Sequence, residues 1–129
     1  MTASEQSVAL AIGVAEAAAD KLASDIVIID VSERLVITDV FVLASAPSER
    51  QVKAIVDAIE ERAHDGGVDV VRREGERDGR WVLLDLGDVV VHVQHSEERV
   101  YYALERLWKD CPTIPLPDSL MPPSAVGES

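Results

Sequence analysis

The segment WVLLDLGDVVVHV (residues 81–93) constrains the fold most, because its pattern is typical of a β-hairpin. Two aliphatic runs flank a Leu-Gly-Asp sequence, and glycine at the first central position suits a two-residue type II′ turn at Gly87-Asp88. Alternate residues of a strand point to opposite faces. One face is then wholly aliphatic and should belong to the core; it carries Val82, Leu84, Leu86, Val89, Val91 and Val93.

The other face of this hairpin is mixed. Its facing pairs are Trp81–Gln94, Leu83–His92 and Asp85–Val90. Two interpretations are open. A helix could cover this face, which would make Trp81 a core residue of a second layer. Alternatively the face stays open and Trp81 anchors a partner, since tryptophan is enriched among the hot spots of protein interfaces.

The remaining patterns predict the element order α-β-β-α-β-β-β-α. A first helix capped by Ser4 should bury a stripe of Val8, Ile12, Ala15, Ala19 and Leu22. Strands are expected at residues 26–31, 36–44 and 68–74, the last near a sheet edge. A second helix should start at Ser45-Ala46-Pro47, with Ser45 as its cap, and bury Val52, Ile55, Val56 and Ile59.

This order predicts a single α/β domain with a mixed five-stranded sheet packed by helices. The strand–helix–strand crossover of residues 36–73 implies a parallel pair, and the hairpins imply antiparallel pairs. Five of the six prolines lie beyond Trp108. We therefore expect a domain over residues 1–110 and a proline-rich flexible tail over 111–129.

The third predicted helix, capped by Ser96, adds a second aromatic candidate. Its core stripe should comprise Val100, Leu104, Leu107 and Trp108. Tyr102 falls nearly opposite this stripe, where an amphipathic helix has no structural need of an aromatic residue. Together with Trp81 it suggests an aromatic docking patch.

Charge and cysteine content restrict the partners and cofactors. The formal net charge of −12 opposes contact with phosphate backbones, so we expect no DNA and little direct RNA contact. An acidic surface suits basic protein partners. A single cysteine, Cys111, rules out a cysteine-based zinc site. We expect no cofactor. Because neither a signal peptide nor a spanning apolar run occurs, we also expect no membrane association and a cytoplasmic location.

The search for catalytic groups yields one weak alternative. Asp30, Asp85 and Asp88 could hold Mg²⁺ in a nucleotidyltransferase-like enzyme. Turn geometry already explains Asp85 and Asp88, because aspartate favours positions in and beside turns. In addition, no phosphate-binding loop is present. His92 and His95 point to opposite faces of a strand, which disfavours joint metal ligation. We therefore expect a protein that is not an enzyme.

Three separated blocks resemble one known family. DVSERLVITDVFVLASAPSERQVKAIVDAIEE, WVLLDLGDVVVHV and RVYYALERLW are similar, in order and spacing, to the ribosomal silencing factor family, also called the Iojap family. The resemblance covers roughly residues 5–110, and the segment beyond Cys111 has no counterpart in the pattern. It implies an α/β fold related to nucleotidyltransferases but without their catalytic motifs.

The resemblance also implies a function. Such factors are translational repressors that bind the large ribosomal subunit at its protein number fourteen and hinder joining of the small subunit when nutrients are scarce. Trp81 and Tyr102 match the docking residues of the family, and Leu83 lies beside Trp81. Arg50 and Asp88 match recurrent family positions, although helix solvation and turn geometry explain them adequately. A homodimer through the same open face is a further option.

Overall fold

The computed structural model describes residues 3–75, 77–102 and 104–120, and for residues 100–102, 104 and 105 it describes the backbone alone. The elements, in chain order, are α1 (Glu5–Asp20), β1 (Ser24–Asp30), β2 (Val40–Ala46), α2 (Glu49–Asp65), β3 (Arg72–Glu74), β4 (Trp81–Asp85), β5 (Val89–His95), α3 (Ser96–Tyr102), α4 (Leu104–Leu107), β6 (Thr113–Ile114) and a 3₁₀ turn (Asp118–Leu120). None of the described helices is both long enough and apolar enough to cross a membrane.

The strands form one mixed sheet in the order β3-β4-β5-β2-β1-β6. The mixed sheet and single α/β domain are confirmed, but the count of five strands is wrong. The sixth strand lies in the segment expected to be a flexible tail, where Thr113 pairs with Ile29 and Ile114 with Ile28. Two residues among prolines are too few to give a detectable strand period.

The parallel pair joins different strands from those predicted. β2 pairs in parallel with β5, from Val40 opposite Val89 to Ala46 opposite His95. The crossover through α2 instead leads to β3, which lies at the sheet edge and contains only Arg72, Arg73 and Glu74. These charged residues suit an edge, whereas β5 is mostly apolar and buried and therefore suits the centre of the sheet.

The β4–β5 hairpin has the predicted register. Trp81 faces Gln94, and Leu83 faces His92. The Leu86 N–H donates to the Val89 carbonyl at 2.9 Å. Gly87 has a φ of 95°, as the first central residue of a type II′ turn requires.

Helices α1 and α2 pack on the aliphatic face of the hairpin and form the main core. The predicted stripe of α2 is fully buried. Ser48 caps this helix, accepting from the Gln51 N–H, so the prediction of Ser45 as the cap is wrong. Ser45 lies in β2, where its hydroxyl donates to the Ser24 carbonyl at 3.1 Å. The strand extends beyond the predicted boundary because its last residues still pair with β1 and β5.

Helix α1 starts as predicted but buries a different stripe. Ser4 accepts from the Ser7 N–H and caps the helix. The buried residues are Ser7, Ala11, Val14, Ala15, Ala17 and Ala18. Leu22, predicted to be in the stripe, lies beyond the end of the helix and is 79% exposed. Small residues thus face the sheet, which brings the helix close to it.

A smaller apolar cluster lies on the other side of the sheet and contains Ile29, Val31, Leu43 and Cys111. Trp108 packs against it, as expected for a core residue. Leu107 is 67% exposed, so its predicted place in the core is wrong, because α4 ends there and the helical stripe stops. Burial of Cys111 and pairing of β6 with β1 hold part of the predicted tail on the sheet.

Candidate functional site

The candidate site is the side of the β4–β5 hairpin turned away from α1 and α2, here called the outer face. Its residues are Trp81, Leu83, Asp85, Val90, His92 and Gln94. Val82 and Leu84 point to the main core and are 2% and 0% exposed. Trp81 and Leu83 alternate with them and are only partly buried. The strand period therefore leaves part of an indole and of an aliphatic side chain open to solvent.

A hydrogen bond fixes the indole of Trp81. Its Nε1–H donates to Nδ1 of His92 at 3.1 Å, and the two ring centroids are 6.1 Å apart. These residues are diagonal neighbours on the hairpin, a separation that long aromatic side chains can bridge. Because Nδ1 accepts this bond, neutral His92 carries its proton on Nε2.

His92 is itself buried, at 8% exposure. Burial lowers the pKa of His92 to about 4, so the imidazole is neutral near pH 7. Phe41 contacts its ring edge-on with centroids 5.2 Å apart. Trp108 contacts Phe41 in the same way at 5.0 Å. A row of four rings therefore runs from Trp81 across the sheet to Trp108.

Two buried side chains of the outer face keep polar atoms without hydrogen bonds. Within the described part of the chain, Nε2 of His92 and both amide atoms of Gln94 have no partner. Gln94 is fully buried. Each such atom costs about 1–3 kcal/mol relative to a satisfied one. The sequence left open whether this face is covered or exposed, and burial of His92 and Gln94 shows that it is covered at these two positions of β5.

Charged residues line the edge of the outer face beside Trp81. The Arg80 guanidinium contacts Glu97 at 2.8 Å and Glu98 at 2.9 Å, and approaches Glu49 of α2 at 4.0 Å. Hydrogen bonds to Glu97 and Glu98 raise the pKa of Arg80, and the bond from Arg80 lowers the pKa of Glu97. These contacts tie the start of β4 to the first turns of α2 and α3.

The other predicted site residues are dispersed. Tyr102 ends α3, and its side chain lies outside the described residues. Arg50 is exposed in the first turn of α2, the helix that packs on the opposite side of the sheet. Asp88 is exposed in the hairpin turn, at the far end of β4 from Trp81. The structure thus brings Trp81 and Leu83 together but not Arg50 or Asp88.

The carboxylates of the catalytic alternative have structural roles instead. Asp30 Oδ1 accepts from the N–H and hydroxyl of Ser32, and Asp85 Oδ1 accepts from the Gly87 N–H at 2.8 Å. In the described ranges, no three histidine, cysteine, aspartate or glutamate residues come together as metal ligands would. The predicted constellation of Asp30, Asp85 and Asp88 is therefore not assembled.

Comparisons with known proteins agree on one family. Residues 4–128 match the family described as "Ribosomal silencing factor during starvation". This match extends beyond Cys111, so the expectation that the C-terminal segment has no counterpart in the family is wrong. The additional pairing of β6 with β1 is consistent with a segment that belongs to the fold.

Individual relatives show the same similarity. The chain is 45% identical over 102 residues to "Ribosomal silencing factor RsfS" of Bacillus subtilis, covering 79% of this chain and 86% of the relative. A relative of the same name from Halalkalibacterium halodurans is 45% identical over 97 residues, with 75% and 83% covered. A crystal structure of a Bacillus halodurans protein matches with a TM-score of 0.73 and 40% identity, covering 88% of this chain and 100% of that one.

Proposed function

The chain belongs to the ribosomal silencing factor family, and from that premise we propose that it represses translation by binding the large ribosomal subunit. Bound there, it blocks association with the small subunit. One observation supports a docking role for the hairpin: Trp81 and Leu83 keep part of their surface open on a sheet face that neither α1 nor α2 covers. Such a repressor acts in the cytoplasm, where subunits associate.

The proposed docking surface is centred on Trp81 and Leu83, with Tyr102 as its third member. Tryptophan and tyrosine bury a large area at little cost in side-chain entropy, which makes them frequent hot spots. We place Arg50 and Asp88 at the margin of this surface, since one lies on α2 and the other in the hairpin turn.

Charge indicates which component of the subunit is contacted. A chain of net charge −12 is repelled by ribosomal RNA and attracted by basic protein surfaces. We therefore propose a ribosomal protein as the direct partner, namely protein number fourteen of the large subunit, as the family resemblance implies. Arg80 neutralises only some of the carboxylates around Trp81, since it contacts three glutamates.

The mechanism requires no catalysis. A domain of about 110 residues has a radius of gyration of about 13 Å. A body of that thickness, fixed on the side of the large subunit that meets the small one, prevents the two surfaces from approaching. Repression then depends on affinity and position alone, so an excess of protein should increase the fraction of separate subunits.

Reassociation of purified subunits tests this proposal. Separated large and small subunits are mixed at the Mg²⁺ concentration that favours joining, with and without the protein, and followed by light scattering. We expect a dose-dependent loss of joined ribosomes and cosedimentation of the protein with the large subunit alone. Unchanged joining at saturating protein would refute the proposal. Adding the protein to already joined ribosomes separates blocking of association from active splitting.

A further inference from the structure

We infer that His92 is a positioning residue of the proposed docking surface: it binds the indole N–H of Trp81 and thereby fixes the ring in one orientation with its apolar surface outward. This inference rests on the proposed function and deepens it. The hydrogen bond from Trp81 Nε1 to His92 Nδ1 is 3.1 Å long. Because His92 is buried, it cannot contact a partner directly and must act through Trp81.

The surroundings of His92 are suited to this role. Phe41 packs edge-on against the imidazole, and Leu43 pairs with His92 across the neighbouring parallel strand. The imidazole is therefore held in place independently of Trp81. A fixed acceptor can orient a partly exposed indole, whereas a solvent-exposed acceptor would move with it.

Stability alone does not account for a histidine at this position. Its Nε2 has no hydrogen-bond partner in the described part of the chain, which is unfavourable for a buried group. Phenylalanine would fill a similar volume, keep the contact with Phe41 and remove the unsatisfied Nε2, although it would also remove the acceptor of the Trp81 N–H. The atom that distinguishes histidine from phenylalanine here is Nδ1, and Nδ1 binds Trp81.

The chemistry of the partner follows from the same bond. Since the indole N–H is directed inward, the part of Trp81 that stays exposed offers a partner apolar ring surface and no hydrogen-bond donor. Such a surface accepts aliphatic side chains or a cation placed over the ring. We therefore infer that the partner places an aliphatic or cationic group, rather than a hydrogen-bond acceptor, against Trp81.

The test measures binding to purified large ribosomal subunits for the wild-type chain, His92→Phe, Trp81→Phe and the double variant. We expect His92→Phe to weaken binding about tenfold, or about 1.4 kcal/mol, while its denaturation midpoint stays close to that of the wild type, because removal of the unsatisfied Nε2 offsets the lost bond to Trp81. In the Trp81→Phe background, which lacks the indole N–H, the same change should have less than a twofold effect. This coupling identifies action through Trp81.

A direct readout of the hydrogen bond keeps the inference testable if His92→Phe folds poorly. The chain has two tryptophans, so a ¹⁵N-labelled sample gives two indole N–H signals. We expect slow exchange of the Trp81 signal in the wild type and fast exchange in His92→Gln, whose amide oxygen lies one bond farther from Cβ than Nδ1 and does not take its place, with Trp108 as the internal control.

The outcomes separate the inference from the proposed function. If wild-type protein fails to bind large subunits, the proposed function is wrong. If wild-type protein binds and His92→Phe binds equally well, or if the Trp81 N–H exchanges equally fast in both chains, the positioning role of His92 is wrong. Equal losses in stability and binding, with no coupling to Trp81, would reduce His92 to a structural residue and also overturn the inference.

Discussion

The main-chain N–H of Ala3 donates to Oδ2 of Asp30 at 3.0 Å, although the two residues are 27 positions apart. Ser32 occupies the other oxygen of this carboxylate through its N–H and hydroxyl. Burial alone would raise the pKa of Asp30, but the hydrogen bonds from Ser32 and Ala3 outweigh it and the pKa is lowered. The charged carboxylate therefore links the N-terminal segment to β1.

Replacing this carboxylate with an amide should destabilise the fold. Asp30→Asn removes the charge that strengthens three hydrogen bonds, and we expect a loss of about 2 kcal/mol in the free energy of unfolding. Urea denaturation at pH 7.5 measures it. The control is Asp57→Asn, an exposed position on α2, which should change stability by less than about 0.5 kcal/mol. Equal stability of the two variants would contradict the structural role of Asp30.

The end of helix α1 offers a stabilising substitution. Leu22 has a φ of 63°, and its N–H donates to the Ala19 carbonyl while the Ala23 N–H donates to that of Ala18. This is the Schellman motif, in which glycine is the usual residue at the left-handed position. Leu22→Gly should add about 0.5–1 kcal/mol of stability, because relief of backbone strain exceeds the added entropy of the unfolded chain. Leu22→Ala keeps the Cβ and should give no such gain.

The hairpin could be predicted well because its pattern is local. Alternation along WVLLDLGDVVVHV assigns each residue to a face, and the Gly87 turn sets the register between the two strands. The outward direction of Trp81 and Leu83 follows from the same two facts. The bond between Trp81 and His92 was missed because it joins diagonal neighbours rather than a facing pair.

Features that depend on distant contacts could not be predicted in this way. The parallel partner of β2 is β5 rather than β3, and local periodicity does not specify which strand lies beside another. The two-residue strand β6 is held by pairing with β1 and has no pattern of its own. Burial of Gln94 depends on its neighbours in the folded sheet. The docking role of Tyr102 stays a prediction.

The turn before β4 should not tolerate a side chain. Gly75 has a φ of 84°, and a Cβ at this position would lie 1.9 Å from the carbonyl oxygen of Trp81. We expect Gly75→Ala to lower the free energy of unfolding by about 3 kcal/mol, through backbone strain together with displacement of β3 or β4. Gly87→Ala is the matched control, since its φ is 95° with nothing within 4 Å, and it should cost about 1 kcal/mol. Equal costs in urea denaturation would argue against the close contact at Trp81.

Truncation of Trp81 should weaken docking far more than truncation of another exposed apolar residue. We expect Trp81→Ala to lose roughly 2 kcal/mol of affinity for the large subunit, about thirtyfold. Val71, which is 71% exposed outside the outer face, provides the control as Val71→Ala and should bind within twofold of the wild type. Cosedimentation is measured below the melting temperature of both variants. Full binding by folded Trp81→Ala would remove Trp81 from the docking surface.

The stability of the chain should depend on pH through His92. Its pKa is lowered by burial from 6.5 to about 4, so between these values the unfolded chain binds more protons than the folded one. Stability is therefore complete above pH 6.5 and decreases as the pH falls toward 4. Linkage predicts a loss of about 1.3 kcal/mol between pH 7.5 and pH 5.5, a range that stays above the isoelectric point of about 4.5.

The control for this prediction is His92→Phe. The exposed His64, whose pKa is raised by its hydrogen bond with Asp69, changes stability with pH in the opposite direction, but it is present in both the wild type and this variant. The difference in the free energy of unfolding between the wild type and His92→Phe, measured by urea denaturation, therefore isolates His92. If this difference did not change with pH, the imidazole would be protonated as easily in the folded chain as in the unfolded one.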